Sequence, residues 1–392
     1  MKKKVFLAGS LIWVLVALVA LAVLVVSLSG GNLSKFLPGW LNVGTIGSSF
    51  TGAIDSNTPL IKEEKLSLDN ISELSVGTQY QAIRLTLIDG GEIALRHYDQ
   101  ESAPTFTSDS SGGRLVVNIP QRNFVSINMM SPRLEIDLPR AYAGAVKLDS
   151  TSGGINLDEP AEWGDTALAS TSGSIHFKGG ISCGDLSIKT SSGSINLGDI
   201  NAAAVITDST SGSQRYEEVL AKGEVALKAT SGSINSSKIS ATDVRIQSTS
   251  GSIRTDDITA AGNAKISTAS ASQNVGILKA AAYDINCTSG SLRYDGLSGA
   301  GNLNCMSGSI TCGALEVKGD VSSTSTSGSQ RLTLVPDQNF ELKISVTSGA
   351  IRAPNVDLSY SDRQGKNAFG TVGDGGAGTL AIRSNSGSVT IN

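Results

Sequence analysis

The sequence has 392 residues, with 31 Lys and Arg against 35 Asp and Glu, a formal charge of −4. That balance excludes a nucleic-acid binder, which needs a basic excess to neutralise phosphates. With 44 glycines, 5% aromatic and 17% charged residues, the chain is neither a helical protein nor a disordered acidic one. Two histidines, His97 and His176, and four cysteines leave little for metal clusters or histidine chemistry, so no cofactor, metal or enzymatic role is expected.

Met1-Lys2-Lys3-Lys4 precedes an apolar run from Val5 to Leu28. At about 1.5 Å per residue this predicts one helix that crosses a hydrocarbon core of about 30 Å. A cleaved signal peptide is the alternative, with Ser27-Leu28-Ser29 as a small-residue cleavage site. The lysines ahead of the run put the N-terminus in the cytoplasm and everything after Gly30 outside, in a single-pass cell-membrane arrangement. Residues 1–28 are therefore read as Lys cluster and anchor, and residues 29–59, rich in Gly, Ser, Asn and Thr, as a flexible tether.

From Lys65 the texture becomes alternating, as in Ala82-Ile83-Arg84-Leu85-Thr86-Leu87 and Arg133-Leu134-Glu135-Ile136-Asp137-Leu138, which predicts strands. Residues 60–140 read as a β capping segment and 141–392 as a repeat array. In the array, variants of Thr-Ser-Gly-Ser-Ile recur with glycine at 153, 173, 193, 212, 232, 251, 290, 308, 328, 349 and 387, close to 20 residues apart. The degenerate Ala269-Ser270-Ala271-Ser272 fills the midpoint of one double interval. A fixed short period with strand texture means stacked coils, since one such unit cannot bury its own apolar face.

Within each unit, aliphatics stand seven and five residues before the glycine (Val146 and Leu148, Val225 and Leu227, Val244 and Ile246). Others stand two and about seven residues after it (Ile195 and Ile200, Ile234 and Ile239). The place three before is small: Ser150, Ser170, Thr190, Cys287, Cys305. Period-two alternation on three sides per unit predicts an all-β protein, a parallel β-solenoid of about 20-residue coils. The corner glycine is expected to supply a positive φ. Gln214, Gln273 and Gln330 occupy the inward place usually held by Ile, and are expected to be corner distortions or capped internal amides.

Five arginines, Arg215, Arg254, Arg293, Arg331 and Arg352, recur three residues after the glycine, on an outward column. Asn235, Asn274 and Thr311 separate the first four, which keeps like charges about 10 Å apart rather than 5. Such a ladder suits an anionic envelope polymer, a teichoic acid or lipopolysaccharide phosphate. Glu217, Asp256 and Asp295, two residues along, support the other reading, a solvated charged face. Cys287 and Cys305 fall in successive coils, with Cα atoms expected about 5 Å apart, so either a disulfide or two small core fillers fits. Neighbouring carboxylates such as Asp256 and Asp257 point to opposite sides of a strand, unlike a glycosidase pair. Residues 357–378 read as a cap loop. The last coil, Ser388-Val389-Thr390-Ile391-Asn392, is expected to stand uncovered unless that loop folds over it, and so to invite end-to-end self-association.

The anchor, the phrase Leu134-Glu135-Ile136-Asp137-Leu138-Pro139, the Ser-Gly-Ser-Ile coils and the ending Gly370-Thr371-Val372-Gly373 … Ser386-Gly387-Ser388-Val389 resemble the bacterial putative adhesin family across residues 60–392. The resemblance implies a β-solenoid envelope protein with an adhesive or surface-interaction role, and it transfers no catalytic residues. Some relatives are membrane-anchored accessories of envelope-stress systems. The expected function is thus a non-enzymatic, membrane-anchored surface protein with adhesin-like binding or scaffolding. The alternative is an accessory of an envelope-stress or signalling system.

Overall fold

Alternating strands that cannot bury a face alone find their partners one repeat away. In the computed structural model, which describes residues 58–120, 131–376 and 378–392, successive repeats from 145 to 334 stack parallel on one another. On the first side Val146, Thr166, Leu186, Val205, Val225 and Val244 are successive Cα partners. On the second side Ile155, Ile175, Ile195, Gln214, Ile234 and Ile253 follow one another in the same way. A third side carries Ile181, Ile200, Val219, Ile239 and Ile258. All the aliphatic members of these columns are buried. Their continuity along the stack is the core: burying one such side chain is worth about 1.5–3 kcal/mol. Residues 1–57, with the expected anchor and tether, lie outside the described residues; among the described residues no helix is long and apolar enough to cross a membrane.

The corner glycines form their own column, and the reason differs from the expected one. Gly173, Gly193, Gly212, Gly232 and Gly251 do not have positive φ; among the array corners, Gly308, Gly328 and Gly349 do. What these corners share is close approach. A Cβ on Gly193 would lie 1.9 Å from the carbonyl oxygen of Gly173, and one on Gly232 2.0 Å from that of Gly212. The small residue three places earlier has a role in the same turn. The hydroxyls of Ser209, Ser325 and Ser384 each donate to the carbonyl of their own corner glycine, at 2.6, 2.8 and 3.1 Å.

Both ends depart from simple stacking, and in the same manner. At the C-terminal end the coil after residues 321–334 is not 340–352. Thr379–Ser386 pairs parallel with Ile310–Ser327 on one flank and with Phe340–Ser348 on the other. Val389–Ile391 likewise lies between Gln330–Leu334 and Ile351–Arg352. The chain thus skips a layer, builds the outer coil, and returns to fill the gap. Asn367–Val372 then covers Phe340–Ser348 antiparallel, with Ser359–Tyr360 outside it. The expectation of an uncovered coil at Ser388–Asn392 is therefore corrected: that strand is flanked on both sides, and the 357–378 segment is the cap.

At the N-terminal end Glu73–Thr78 and Ala82–Ile88 pair parallel with the coil at 145–157. On their other flank lie Arg114–Asn118 and Arg133–Pro139, again parallel. Antiparallel strands Thr107–Ser111, Glu92–Tyr98 and Leu60–Ser67 close that end. Stacking therefore begins upstream of residue 141. Antiparallel cover of this kind blunts parallel edges that would otherwise template further strands.

Candidate ligand-binding face

The second side presents its outward column to solvent. In register order the Cα partners run Arg84, Asn156, His176, Asn196, Arg215, Asn235, Arg254, Asn274, Arg293, Thr311 and Arg331. Thr390 pairs with Arg331 on one side and with Arg352 on the other. The inserted strand therefore completes what the sequence left unfinished. All five arginines of the array stand on alternate layers, about 10 Å apart at two strand spacings. No acidic residue interrupts the column from Arg84 to Arg352.

The five side chains are exposed, but their surroundings differ. Two residues along from Arg215, Arg254 and Arg293 stand Glu217, Asp256 and Asp295, and the Arg293 Nε lies 3.7 Å from the Asp295 carboxylate. Beyond Arg331 and Arg352 stand Thr333 and Pro354 instead. Among the described residues, Arg215, Arg254, Arg331 and Arg352 make no ion pair. Arg331 and Arg352 share a shallow depression of about 390 Å³ with Thr390 and the corner serines Ser309, Ser329 and Ser388. The place of Thr390 and Ser388 in this depression was missed in the sequence. The alternation itself was the available signal. Taken in chain order, Arg331 and Arg352 would be direct neighbours, and a neutral residue was needed between them.

The other sequence-singled residues are structural. Cys287 and Cys305 are register partners, buried, and both are free thiols. The three glutamines are fully buried, and both the nitrogen and the oxygen of each side-chain amide are hydrogen-bonded. Gln273 Nε2 donates to the Asn286 carbonyl at 2.7 Å, and its Oε1 accepts from the Tyr294 hydroxyl at 2.7 Å. Gln214 and Gln330 donate in the same way to the carbonyls of Lys228 and Arg383, each on the next layer. They are capped internal amides that tie the second side of one coil to the first side of its neighbour. Among the described residues no three His, Cys, Asp or Glu side chains converge as for a metal ion. Glu218, one of the carboxylates in paired sequence positions, is taken by Lys238, whose ammonium it holds above the usual lysine range.

The Toastrack DUF4097 family model matches residues 71–235 and again 220–392. The chain belongs to the Toastrack DUF4097 family. The two Toastrack matches meet at 220–235, where the register passes unbroken from Val205 to Val225 to Val244, so they describe one continuous stack. Three solved structures are similar at low identity. A "putative cell adhesion protein" from Clostridium sporogenes is 10% identical over 84% of this chain and 98% of its own, with TM-score 0.16. A "putative adhesin" from Bacteroides fragilis is 9% identical over 84% and 96%, with TM-score 0.25. One from Parabacteroides distasonis is 10% identical over 86% and 98%, with TM-score 0.28. At these identities and scores the likeness does not bear on what this Toastrack chain binds. No curated protein matches it.

Proposed function

We propose that this Toastrack protein is a non-enzymatic surface protein of the cell envelope with an adhesin-like role. It is anchored through Val5 to Leu28 with its solenoid outside, and it binds an anionic envelope polymer along its second side. The observation that carries this reading is the arginine column, five guanidinium groups on alternate layers of one sheet, brought into step by the inserted Thr390. A stack whose layers are bonded in register holds these charges at fixed intervals. A flexible polyanion then meets several at once, and each further contact is intramolecular.

The test is binding of the full chain to an immobilised glycerol-phosphate polymer at rising salt. Arg254→Ser with Arg293→Ser removes two of five contacts and should flatten the salt dependence while weakening binding several-fold. An unchanged salt-dependent affinity removes the proposal. Protease protection of the solenoid in intact cells, against digestion in opened ones, would contradict the external placement.

A further inference from the structure

Resting on that reading, we infer that Arg331 and Arg352, with Thr390 between them, form a discrete seat for one tetrahedral oxyanion, a phosphate ester of the polymer. Two features set this end of the column apart. The depression is shaped, about 390 Å³, and its wall holds hydroxyls from three successive corners, Ser309, Ser329 and Ser388. Its two arginines lack the acid that follows Arg215, Arg254 and Arg293, so their charge is not cancelled locally.

The spacing suits one shared anion. Two arginines on adjacent strands would repel at about 5 Å, but at about 10 Å their forks reach toward a common point above the intervening residue. Thr390 is short enough to leave that point open and is half-buried, with its hydroxyl column facing the same way. A carboxylate has two oxygens and is satisfied by one bidentate fork. A phosphate ester offers more acceptors, and two guanidinium forks plus hydroxyls match it better. The seat joins residues from three separate segments, 331, 352 and 390, and exists because the final strand is inserted between the other two.

The experiment is calorimetric titration of the full chain at low ionic strength with inorganic phosphate, and separately with a glycerol-phosphate oligomer. Arg331→Ser with Arg352→Ser should lower phosphate affinity at least about tenfold, the effect of losing one charged hydrogen-bond pair. Arg254→Ser with Arg293→Ser should leave it within about twofold while still weakening the oligomer. Arg331→Lys with Arg352→Lys keeps the charge but not the fork and should fall between. Sulfate should compete and acetate should not. Equal phosphate loss in the two serine pairs, unchanged affinity in the 331/352 pair, or competition by acetate at equal concentration overturns the seat. Oligomer binding without phosphate binding overturns the seat alone; absence of oligomer binding in the unsubstituted chain overturns the proposed function itself.

Discussion

Cys287 and Cys305 are Cα partners on adjacent parallel layers, and each thiol points to a corner carbonyl of the layer before it. Cys287 Sγ lies 3.5 Å from the Ala271 oxygen, and Cys305 Sγ 3.1 Å from that of Gly290. Serine performs this task elsewhere in the column at Ser248, whose hydroxyl donates to the Gly232 carbonyl of the layer before at 3.4 Å. Cys287→Ser with Cys305→Ser should therefore change stability by less than about 1 kcal/mol, because the donor is kept. Burial pushes Cys312 up to about 12 and Cys183 up to about 11, while contact with Cys287 and burial hold Cys305 above the usual thiol range. Native protein at pH 8 should alkylate slowly at these three positions, and four thiols should react after denaturation without reductant. A count of two would show a bridge. The stability tied to the protonated Cys312 is full below its unfolded value of 9 and is lost as pH rises toward about 12. Cys312→Ser should flatten the alkaline limb of the melting curve.

The corner column predicts a sharp contrast between two glycine substitutions. Gly193→Ala drives a Cβ to 1.9 Å from the Gly173 oxygen, so two layers must separate and the ladder bonds beside them must lengthen. A cost of about 3 kcal/mol or more is expected, at the upper end of overpacking. Gly91 has no heavy atom within 4 Å of an added Cβ. Gly91→Ala should be neutral or slightly stabilising by restricting the unfolded chain. Similar melting temperatures for the two variants would refute the close-approach account.

Gln273 and Tyr294 test the buried amides. Ile occupies the glutamine's place one layer before, at Ile253, so Gln273→Ile fits the column. It also strands the Tyr294 hydroxyl, which is fully buried. The single change should cost about 1–3 kcal/mol, the penalty of an unpaired buried donor. Adding Tyr294→Phe should recover most of it. A double variant whose loss equals the sum of the singles would mean the two residues do not act together.

Much of this was legible in the sequence, and the part that was not has a physical cause. Period, inward columns and the parallel stack follow from side-chain alternation, which each unit carries in its own residues. The order of layers does not, because every coil presents the same aliphatic columns. Leu342 and Leu380 are equally good partners for Val321, so apolar matching alone cannot say which comes next. The outward column could discriminate, since Arg352 placed directly on Arg331 sets two guanidinium groups about 5 Å apart, and Thr390 between them does not. The corner glycine shows a different limit. A residue type reports that a side chain is forbidden, but not whether backbone angle or a neighbouring layer forbids it, and the neighbouring layer does so at Gly173 through Gly251.

The inserted strand makes a prediction that ordinary end-fraying reverses. In a stack built in chain order, residues 380–391 would be the last and least protected layer, and truncating a side chain there would cost little. Here Leu380 is 0% exposed, with Val321 on one flank and Leu342 on the other. Leu380→Ala should therefore cost about 2–5 kcal/mol, as at an ordinary core position. Amides of 380–386 should exchange with deuterium as slowly as those of 244–248 in the middle of the stack. Exchange should begin instead at Ser359–Tyr360 and Asn367–Val372, the antiparallel cover outside the last coil. Early exchange at 380–386, with a small cost for the leucine substitution, would place that strand at the end of the stack and dissolve the alternation of Arg331, Thr390 and Arg352.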